Sequence, residues 1–235
     1  MKTAVIIQAR MNSTRLPGKV LMELGGETVL SQVIKRCKKI NNVNLVCCAV
    51  SEGPHSDLVA SEAERCGSVV VRGPEKDVLG RYFVAAQEIG CSVVLRVTSD
   101  CPLIDPNVCS EVIKLLEGKN NHFATNNWPR SWPLGLDCEA FSTALLAKAV
   151  QNANENEREH VTTWMRVNNK RVKILNYASS DPNLSRLRWT LDTERDYRFL
   201  KALFSLIPET DETYSYKLPL QLILETPSLK YFYSV

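Results

Sequence analysis

The chain has 235 residues, of which 44% are hydrophobic and 23% are charged, and these proportions are typical of a globular protein that buries a sizeable core. The net charge of +3 is too small for a nucleic-acid-binding protein, so any anion site is expected to be local. No stretch approaches the roughly 20 apolar residues of a membrane helix, and the N-terminus shows no signal-peptide pattern. We therefore expect a cytoplasmic protein that neither binds nucleic acid nor crosses a membrane.

The eight cysteines show no CxxC pair and lie mostly in apolar stretches. This pattern favours reduced thiols that are buried in the core of a cytosolic protein. It argues against both a disulfide framework and a zinc site.

The first twenty residues hold the most informative pattern in the chain. An apolar run begins at Thr3 and stops abruptly at Gln8, which predicts a buried strand. The polar loop that follows carries two hydroxyl residues and three cations: Ser13, Thr14, Arg10, Arg15 and Lys19. Because ligands of open α/β sheets bind at the carboxyl ends of the strands, this loop is predicted to bind an anion such as phosphate. The alternative is a solvated basic loop without a ligand.

Periodic patterns continue along the chain. Apolar residues at helical spacing predict helices over 28–37, 57–66, 78–90, 105–116 and 142–153. Short apolar runs predict strands over 43–50, 68–72, 91–97 and 172–177. This alternation implies an α/β fold with a mostly parallel sheet, right-handed crossovers and flanking helices. There is no internal repeat or linker, so a single domain over residues 1–235 is expected.

The loop from Gln8 to Lys19 resembles the nucleotide-binding loop of the sugar-acid cytidylyltransferases, and the chain as a whole resembles their SpsF-type branch of spore-coat polysaccharide biosynthesis. This resemblance implies a Rossmann-like nucleotidyltransferase fold. It implies that the nucleotide is bound by Gln8, Ala9, Arg10, Ser13, Arg15, Lys19, Arg72, Arg81 and Thr98. Among these, the catalytic residues that neutralise the phosphates would be Arg10, Arg15 and Lys19.

Two arginines, Arg72 and Arg81, bracket a second loop. The family has a loop here that also starts and ends with arginine and contacts the base and the phosphates. The residues between the arginines differ from the Ser-Gly-Thr that is usual in the family, since this chain has Asp77-Val78-Leu79. Asp77 is a candidate N-cap for the following helix. The alternative is that both arginines are only side chains on a helix face.

A strand through Val97 delivers Asp100 at the same edge of the sheet as the Gln8–Lys19 loop. A carboxylate at this place is suited to hold Mg²⁺ together with nucleotide phosphates. The segment from Asp100 to Ile104 resembles the family's D-x-P-L-I motif, which implies that Asp100 is a catalytic metal ligand. The alternative role, helix capping, suits Asp105 better than Asp100.

Residues 123–162 contain an aromatic, proline-rich stretch that we expect to leave the sheet as an irregular insertion. Within it, Gly135, Asp137 and Glu139 match the G-x-D-x-E element of the SpsF-type branch, and an E-H-V-T segment follows. The resemblance implies that the sugar substrate is bound by Asp137, Glu139, Glu159 and His160. Because a lone histidine is more often structural than a ligand, both interpretations of His160 stay open.

A short strand is predicted to end at Asp192, and Thr193 is suited to cap the helix that begins with Glu194. Capping alone would explain this sequence. The family, however, places its second metal-binding aspartate in such a D-T-x-x-D segment. The resemblance therefore implies that Asp100 and Asp192 together bind Mg²⁺.

The implied reaction transfers CMP from CTP to a sugar or sugar acid and releases pyrophosphate, for polysaccharide or glycan biosynthesis. The resemblance also implies Mg²⁺ as cofactor and a homodimer whose contact includes residues 128–136. Three alternatives remain open. A sugar-1-phosphate nucleotidyltransferase usually has a loop richer in glycine, and a GT-A-like glycosyltransferase usually has an Asp-x-Asp motif. A non-catalytic nucleotide-sugar-binding protein has no need for both aspartates.

Overall fold

The computed structural model describes residues 2–119, 122–168, 171–208, 214–230 and 232. The strands in these ranges are β1 (Thr3–Ala9), β2 (Glu23–Leu24), β3 (Glu27–Thr28), β4 (Leu45–Ser51), β5 (Val69–Gly73), β6 (Val93–Thr98), β7 (His122–Thr125), β8 (Glu139–Ser142) and β9 (Lys173–Asn176). The α-helices are α1 (Val29–Cys37), α2 (Asp57–Arg65), α3 (Val78–Glu88), α4 (Pro106–Lys114), α5 (Thr143–Asn152), α6 (Glu155–Arg158), α7 (Thr163–Val167), α8 (Glu194–Phe204), α9 (Lys217–Glu225) and α10 (Pro227–Lys230).

Most strands belong to a seven-stranded sheet with the spatial order β5-β4-β1-β6-β8-β7-β9. β1 pairs in parallel with both β4 and β6, and β4 pairs in parallel with β5. β8 runs antiparallel to β6 and β7, whereas β9 is parallel to β7. The predicted mostly parallel, helix-flanked sheet is confirmed. The remaining strands, β2 and β3, form a separate hairpin.

Side chains of β1 alternate between the two layers of core on either side of the sheet. Val5 and Ile7 pack with α1, α2 and α4, whereas Ala4 and Ile6 pack with α3, α5 and α7. Gln8 continues the second series at the carboxyl end of the strand. A third core joins α8, α9 and α10 to the β2–β3 hairpin around the fully buried Trp189.

Three predicted helix caps are confirmed. They could be predicted because each cap is a hydrogen bond between residues close together in the sequence. The Asp77 side chain accepts a hydrogen bond from Gly80 N at 2.8 Å at the start of α3. Asp105 accepts from two backbone N–H groups at 2.7 and 3.0 Å before α4. Thr193 accepts from Asp196 N at 3.2 Å before α8.

The structure narrows the irregular part of the insertion expected over 123–162. The predicted helix over 142–153 is present as α5, but the range also supplies β7, β8 and α6, so its longest irregular segment is 126–138. Each of the two strands has four residues and is paired with distant parts of the chain, so their periodicity was too short to recognise.

The aromatic residues of this stretch are mostly buried against their own chain. Trp132 is 5% exposed, and its ring lies 5.7 Å from that of Tyr177. Its Nε1 donates a hydrogen bond to the Tyr177 carbonyl oxygen at 2.8 Å. Trp128, by contrast, is 54% exposed. Of the two tryptophans in the expected dimer contact over 128–136, only Trp128 is therefore exposed, and the contact itself stays a prediction.

The expected strand ending at Asp192 is also absent from the described residues. The segment before Asp192 is extended, but its only ladder contact is a single bridge between Leu134 and Arg188. The segment therefore pairs with the irregular 126–138 loop and not with a strand of the sheet. Trp189 N donates to Leu134 O at 2.6 Å, and Leu134 N donates to Leu187 O at 3.0 Å.

All eight cysteines lie in the described ranges as free thiols, and all except the half-buried Cys66 are buried. Burial raises the pKa of Cys47 to about 12, and it raises the pKa of Cys48 further. These thiols stay protonated at neutral pH, which agrees with a core role. Within the described residues, no helix is long and apolar enough to cross a membrane.

Only glycine is expected to fit at position 135, where the 126–138 loop packs against the segment before Asp192. Its φ is +113°, and a Cβ there would lie 2.6 Å from the Trp189 carbonyl carbon and 2.7 Å from Thr190 N. We predict that Gly135→Ala lowers the free energy of unfolding by about 2–5 kcal/mol, through backbone strain and overpacking together. Urea denaturation measures this loss.

Gly90→Ala is the matched control, because Gly90 has a φ of +60° but open space around its Cα. It should show the conformational cost alone, about 1–2 kcal/mol. Equal losses for the two variants would contradict the steric argument.

Candidate active site

A cleft of about 260 Å³ lies at the carboxyl ends of β1 and β6. Its lining comprises Gln8, Arg10, Ser13, Thr14, Arg15, Lys19, Val20, Arg96, Thr98, Ser99, Asp100, Glu159, His160 and Asp192. The structure thus brings together ten of the residues predicted for the site, from four distant parts of the chain. They are Gln8, Arg10, Ser13, Arg15, Lys19, Thr98, Asp100, Glu159, His160 and Asp192.

The loop after β1 folds back on itself to present its cations. The carbonyl oxygen of Met11 accepts hydrogen bonds from Ser13 N at 2.9 Å and from Gly18 N at 3.1 Å. Gly18 has a φ of +70°, which glycine adopts without strain, and a short 3₁₀ turn begins directly after it at Lys19. The turn directs Lys19 inward, where only 9% of the residue is exposed.

Lys19 joins the two predicted metal ligands. Its Nζ donates to Asp100 Oδ2 at 2.7 Å, to Asp192 Oδ1 at 2.9 Å and to the Leu191 carbonyl oxygen at 2.7 Å. Burial by itself lowers the pKa of Lys19, but the charges and hydrogen bonds of both aspartates outweigh burial and raise that pKa above its ordinary value. An ammonium group has three N–H donors, so all of them are engaged with these three oxygens.

Asp192 is surrounded by further cations. Arg15 lies 3.1 Å from its Oδ1, and Arg188 donates to its Oδ2 at 3.0 Å. Burial would raise the pKa of Asp192, but hydrogen bonds and charge from Lys19, Arg188 and Arg15 lower it. The carboxylate is therefore ionised at neutral pH.

The backbone also ties the two aspartates to one another. Leu191 N donates to the carbonyl oxygen of Asp100 at 2.8 Å, and the Thr190 hydroxyl donates to the same oxygen at 3.2 Å. The turn after β6 and the segment before α8 are thus held side by side, independently of Lys19.

The opposite half of the cleft is built on the sheet. Thr98 pairs in register with Gln8, and Arg96 lies two residues before Thr98 on the same face. Arg96 also pairs across the antiparallel ladder with Glu139, and its Nη1 donates to Glu139 Oε2 at 2.7 Å. Glu159 and His160, which follow α6, complete this half.

Glu139 lies beneath the cleft. It is 3% exposed, forms ion pairs with Arg96 and Arg166, and accepts a hydrogen bond from the Thr162 hydroxyl at 3.0 Å. Burial would raise the pKa of Glu139, but the two guanidinium groups lower it below its ordinary value. Its buried oxygens bond to the protein, and its predicted contact with substrate stays a prediction.

Four other predicted residues also lie outside the lining. Ala9 is buried in β1. Arg72 donates to Asp57 at 2.7 Å, and Asp137 accepts from Arg130 at 2.8 Å. Arg81 is 1% exposed and donates to Pro74 O at 3.1 Å. Its Nε and Nη2 atoms have no hydrogen-bond partner within the described ranges. Their proposed contacts with nucleotide or sugar remain predictions.

Sequence reasoning missed three arginines of the site. Arg96 had a signal, since it interrupts the apolar run of a buried strand. Arg188 stands four residues before Asp192 outside any helix, and its contacts with Asp192 and Asp196 could not be read from that spacing. Arg166 had no local signal, because its contacts with Glu139 and Asn127 depend on the packing of α7.

Comparison with known proteins identifies the family of this chain. A family model described as cytidylyltransferase matches residues 4–234. The spore coat polysaccharide biosynthesis protein SpsF of Bacillus subtilis is 33% identical over 210 residues, which cover 85% of each chain. A cytidylyltransferase structure from Leptospira borgpetersenii is similar with a TM-score of 0.91 and 32% identity, covering 97% of this chain and 96% of that one.

A more distant structure shares the fold. It is a CMP:2-keto-3-deoxy-manno-octonic acid synthetase complexed with CTP, with a TM-score of 0.65 and 14% identity, covering 87% of this chain and 99% of that one. The mostly parallel sheet, the basic loop after β1 and the two aspartates at the carboxyl edge of the sheet define a nucleotidyltransferase of this Rossmann-like type.

The chain belongs to the cytidylyltransferase family and is similar to SpsF over most of its length. The resemblance stated from the sequence is thereby confirmed. Membership of an enzyme family removes two of the alternatives, the glycosyltransferase and the non-catalytic binding protein.

The ion pairs of Glu139 generate a stability prediction. Glu139→Gln removes the carboxylate from between Arg96 and Arg166, so we expect a loss of about 3–5 kcal/mol in the free energy of unfolding at pH 7. Because the folded-state pKa of Glu139 is lowered, its stabilisation is complete above about pH 5 and is lost as the pH falls through that lowered pKa.

Urea denaturation at a series of pH values measures both effects. The difference between wild type and Glu139→Gln should shrink on acidification below about pH 4. Glu194→Gln, which breaks an exposed pair with Arg198, is the control and should cost no more than about 1 kcal/mol. A pH-independent difference for Glu139→Gln would contradict the electrostatic origin.

Proposed function

We propose that the protein transfers CMP from CTP to a sugar acid and releases pyrophosphate. The observation that carries the proposal is the cleft itself, which sets the cations of the β1 loop beside two aspartates at the carboxyl edge of the sheet. Family membership supports cytidylyl as the group that is transferred. The CTP-bound sugar-acid synthetase of the same fold supports CTP and a sugar acid as the two substrates. SpsF similarity supports a role in surface polysaccharide synthesis.

In this proposal the loop after β1 binds the triphosphate. Arg10 and Arg15 line the cleft with Ser13, so guanidinium and hydroxyl donors are available to phosphate oxygens. We propose that Arg81 and Arg72 bind the nucleotide from the side of α3. Arg81 is buried, and two of its guanidinium nitrogens have no partner among the described residues. The sugar is proposed to contact Glu159, His160 and Asp137.

The reaction needs no covalent enzyme intermediate. A hydroxyl of the acceptor attacks the α-phosphorus of CTP in line, the bond from that phosphorus to the bridging oxygen breaks, and pyrophosphate leaves. The protein holds the two substrates in the attack geometry and stabilises the charge that develops on the phosphate oxygens. The arginines of the β1 loop are placed to supply that stabilisation.

Nucleotide preference tests the proposal directly. Calorimetric titration with CTP, UTP, ATP and GTP should give the tightest binding for CTP. Pyrophosphate release with CTP should then require a sugar acid from a panel that also contains neutral sugars and sugar phosphates. Tighter binding of a purine nucleotide would overturn the assignment of the base.

We also propose that Asp100 and Asp192 hold Mg²⁺ with the nucleotide. Among the described residues, no three acidic, histidine or cysteine side chains converge as a preformed metal site. Two carboxylates fit a Mg²⁺ that takes its other ligands from phosphate and water, and both already share one cation, Lys19. When bound, the metal would neutralise phosphate charge. A protein of this fold from Mycobacterium tuberculosis, 15% identical with a TM-score of 0.60, was solved as a complex with manganese.

Metal binding can be measured without turnover, by the electron paramagnetic resonance of Mn²⁺. Asp100→Asn and Asp192→Asn should each weaken Mn²⁺ binding in the presence of CTP and lower turnover by about a hundredfold or more. Lys19→Met should instead strengthen binding of Mn²⁺ alone, by about tenfold or more, because it removes the ion-pair partner of Asp100 and one of the three cations around Asp192.

Asp181→Asn is the control, since Asp181 caps an exposed 3₁₀ turn away from the cleft. It should leave Mn²⁺ binding and turnover unchanged. Near-normal turnover and Mn²⁺ binding in Asp192→Asn would show that Asp192 only pairs with Arg15 and Arg188 at the start of α8 and does not bind the metal.

The homodimer remains a proposal, now narrowed to a contact that includes Trp128. This side chain is exposed, and its ring covers the Arg166 guanidinium at 5.0 Å. Tryptophan and arginine are enriched in interface cores. Sedimentation equilibrium at micromolar concentration should show a dimer, and Trp128→Ala should shift it towards monomer. A wild-type monomer would overturn the proposal.

A further inference from the structure

Arg96 is the one cation of the cleft that comes from the middle of a strand. It lies on β6, on the face that also carries Thr98 and, one strand over, Gln8. The cations proposed to serve phosphate come from the opposite side, on the loop after β1. β6 is flanked by β8, so Arg96 faces the side of the cleft where Glu159, His160 and the 126–138 loop lie.

The hydrogen bonds of Arg96 are incomplete. Nη1 donates to Glu139 Oε2 at 2.7 Å, and this is its only hydrogen bond within the described residues. Nε is buried and has no partner there. A buried guanidinium nitrogen without an acceptor is costly, so such groups are expected to find a partner when a ligand binds.

The charge around Arg96 is also unbalanced. Glu139 is the carboxylate that pairs with Arg96, and it pairs with Arg166 as well. The remaining contacts of Arg166 are the amide oxygen of Asn127, the Thr162 hydroxyl and the faces of two aromatic rings, none of which carries a charge. The cluster of two guanidinium groups and one carboxylate therefore keeps one net positive charge beneath the cleft.

Glu139 and Arg166 hold Arg96 in place. Glu139 is fixed from below by Arg166 and by the Thr162 hydroxyl at 3.0 Å, and it pairs with Arg96 in the ladder register. The guanidinium of Arg96 is thus preorganised, with its orientation fixed before any ligand arrives. A planar guanidinium matches a carboxylate through two parallel hydrogen bonds.

We propose that Arg96 is the specificity-determining residue that binds the carboxylate of the acceptor sugar acid, with Glu139 and Arg166 as its positioning residues. The inference rests on the proposed function, since it names the group that recognises the acid in that reaction. A neutral acceptor would leave the charge and the buried N–H of Arg96 without a partner. Such a site discriminates by the penalty of leaving its polar group unpaired.

The test compares acids with their amides. The acceptors are 3-deoxy-manno-octulosonate and N-acetylneuraminate, each with its carboxamide, and the readout is pyrophosphate release with saturating CTP and Mg²⁺. Wild type should prefer the better acid over its amide by at least about tenfold in kcat/KM. In Arg96→Met this ratio should collapse towards one, through a higher KM for the acid, while the Kd for CTP stays the same.

Two further variants keep the test interpretable. Arg96→Lys preserves the charge beside Glu139 but not the planar fork, so it should fold and retain part of the preference for the acid. Arg65→Met removes an exposed arginine that pairs with Glu62 on α2, and it should leave the ratio unchanged. Urea denaturation of each variant confirms that it is folded.

The outcomes separate this inference from the proposed function. Turnover of CTP with neutral sugars but with no sugar acid would leave cytidylyl transfer in place and overturn the role of Arg96. A weaker Kd for CTP in Arg96→Met, with an unchanged acid-to-amide ratio, would overturn it too and assign Arg96 to the nucleotide. Absence of CTP binding to the wild-type protein in calorimetry would instead overturn the proposed function.

Discussion

The contact of one buried ammonium group with two carboxylates organises this molecule. Lys19 comes from the loop after the first strand, Asp100 from the turn after β6, and Asp192 from the segment that leads into α8. Without a cation between them, the two carboxylates would repel one another at short range. The same contact therefore links the loop after β1 to both of the other segments and creates the charge pattern of the cleft.

All three donors of Lys19 are engaged, so Lys19 can contact a phosphate oxygen only by an exchange in which it gives up one of its present acceptors. A triphosphate would bring negative charge to a site whose two carboxylates already share Lys19, and one of which, Asp192, also pairs with Arg15 and Arg188. In the proposed complex, Asp100 and Asp192 would hold a divalent cation that neutralises phosphate charge, and Lys19 would then be able to donate to a phosphate oxygen. The backbone bonds from Leu191 and Thr190 to Asp100 keep the two aspartates in place during that exchange.

The parts of the structure that follow from local sequence were predictable. An apolar run that stops at Gln8 identified both the central strand and the edge where ligands bind, and the caps Asp77 and Asp105 depend on neighbouring residues alone. What depends on distant pairing was not predictable. The four-residue strand β8, the burial of Trp132 and the sharing of Glu139 by two arginines all arise from contacts between remote segments.

The direction of β8 has an evolutionary consequence. Thr125 pairs with Glu139, and Glu139 pairs with Arg96, so the 126–138 loop leaves and re-enters the sheet beside the cleft. Insertions or replacements in its exposed part, 128–131, can change the surface beside the cleft without changing the register of any strand, whereas Asn126 and Trp132 are buried. Its last part is constrained, since the backbone of Leu134 is bonded on both sides to residues 187–189. Among related chains, residues 128–131 should therefore vary, whereas residues 134–138 should stay uniform.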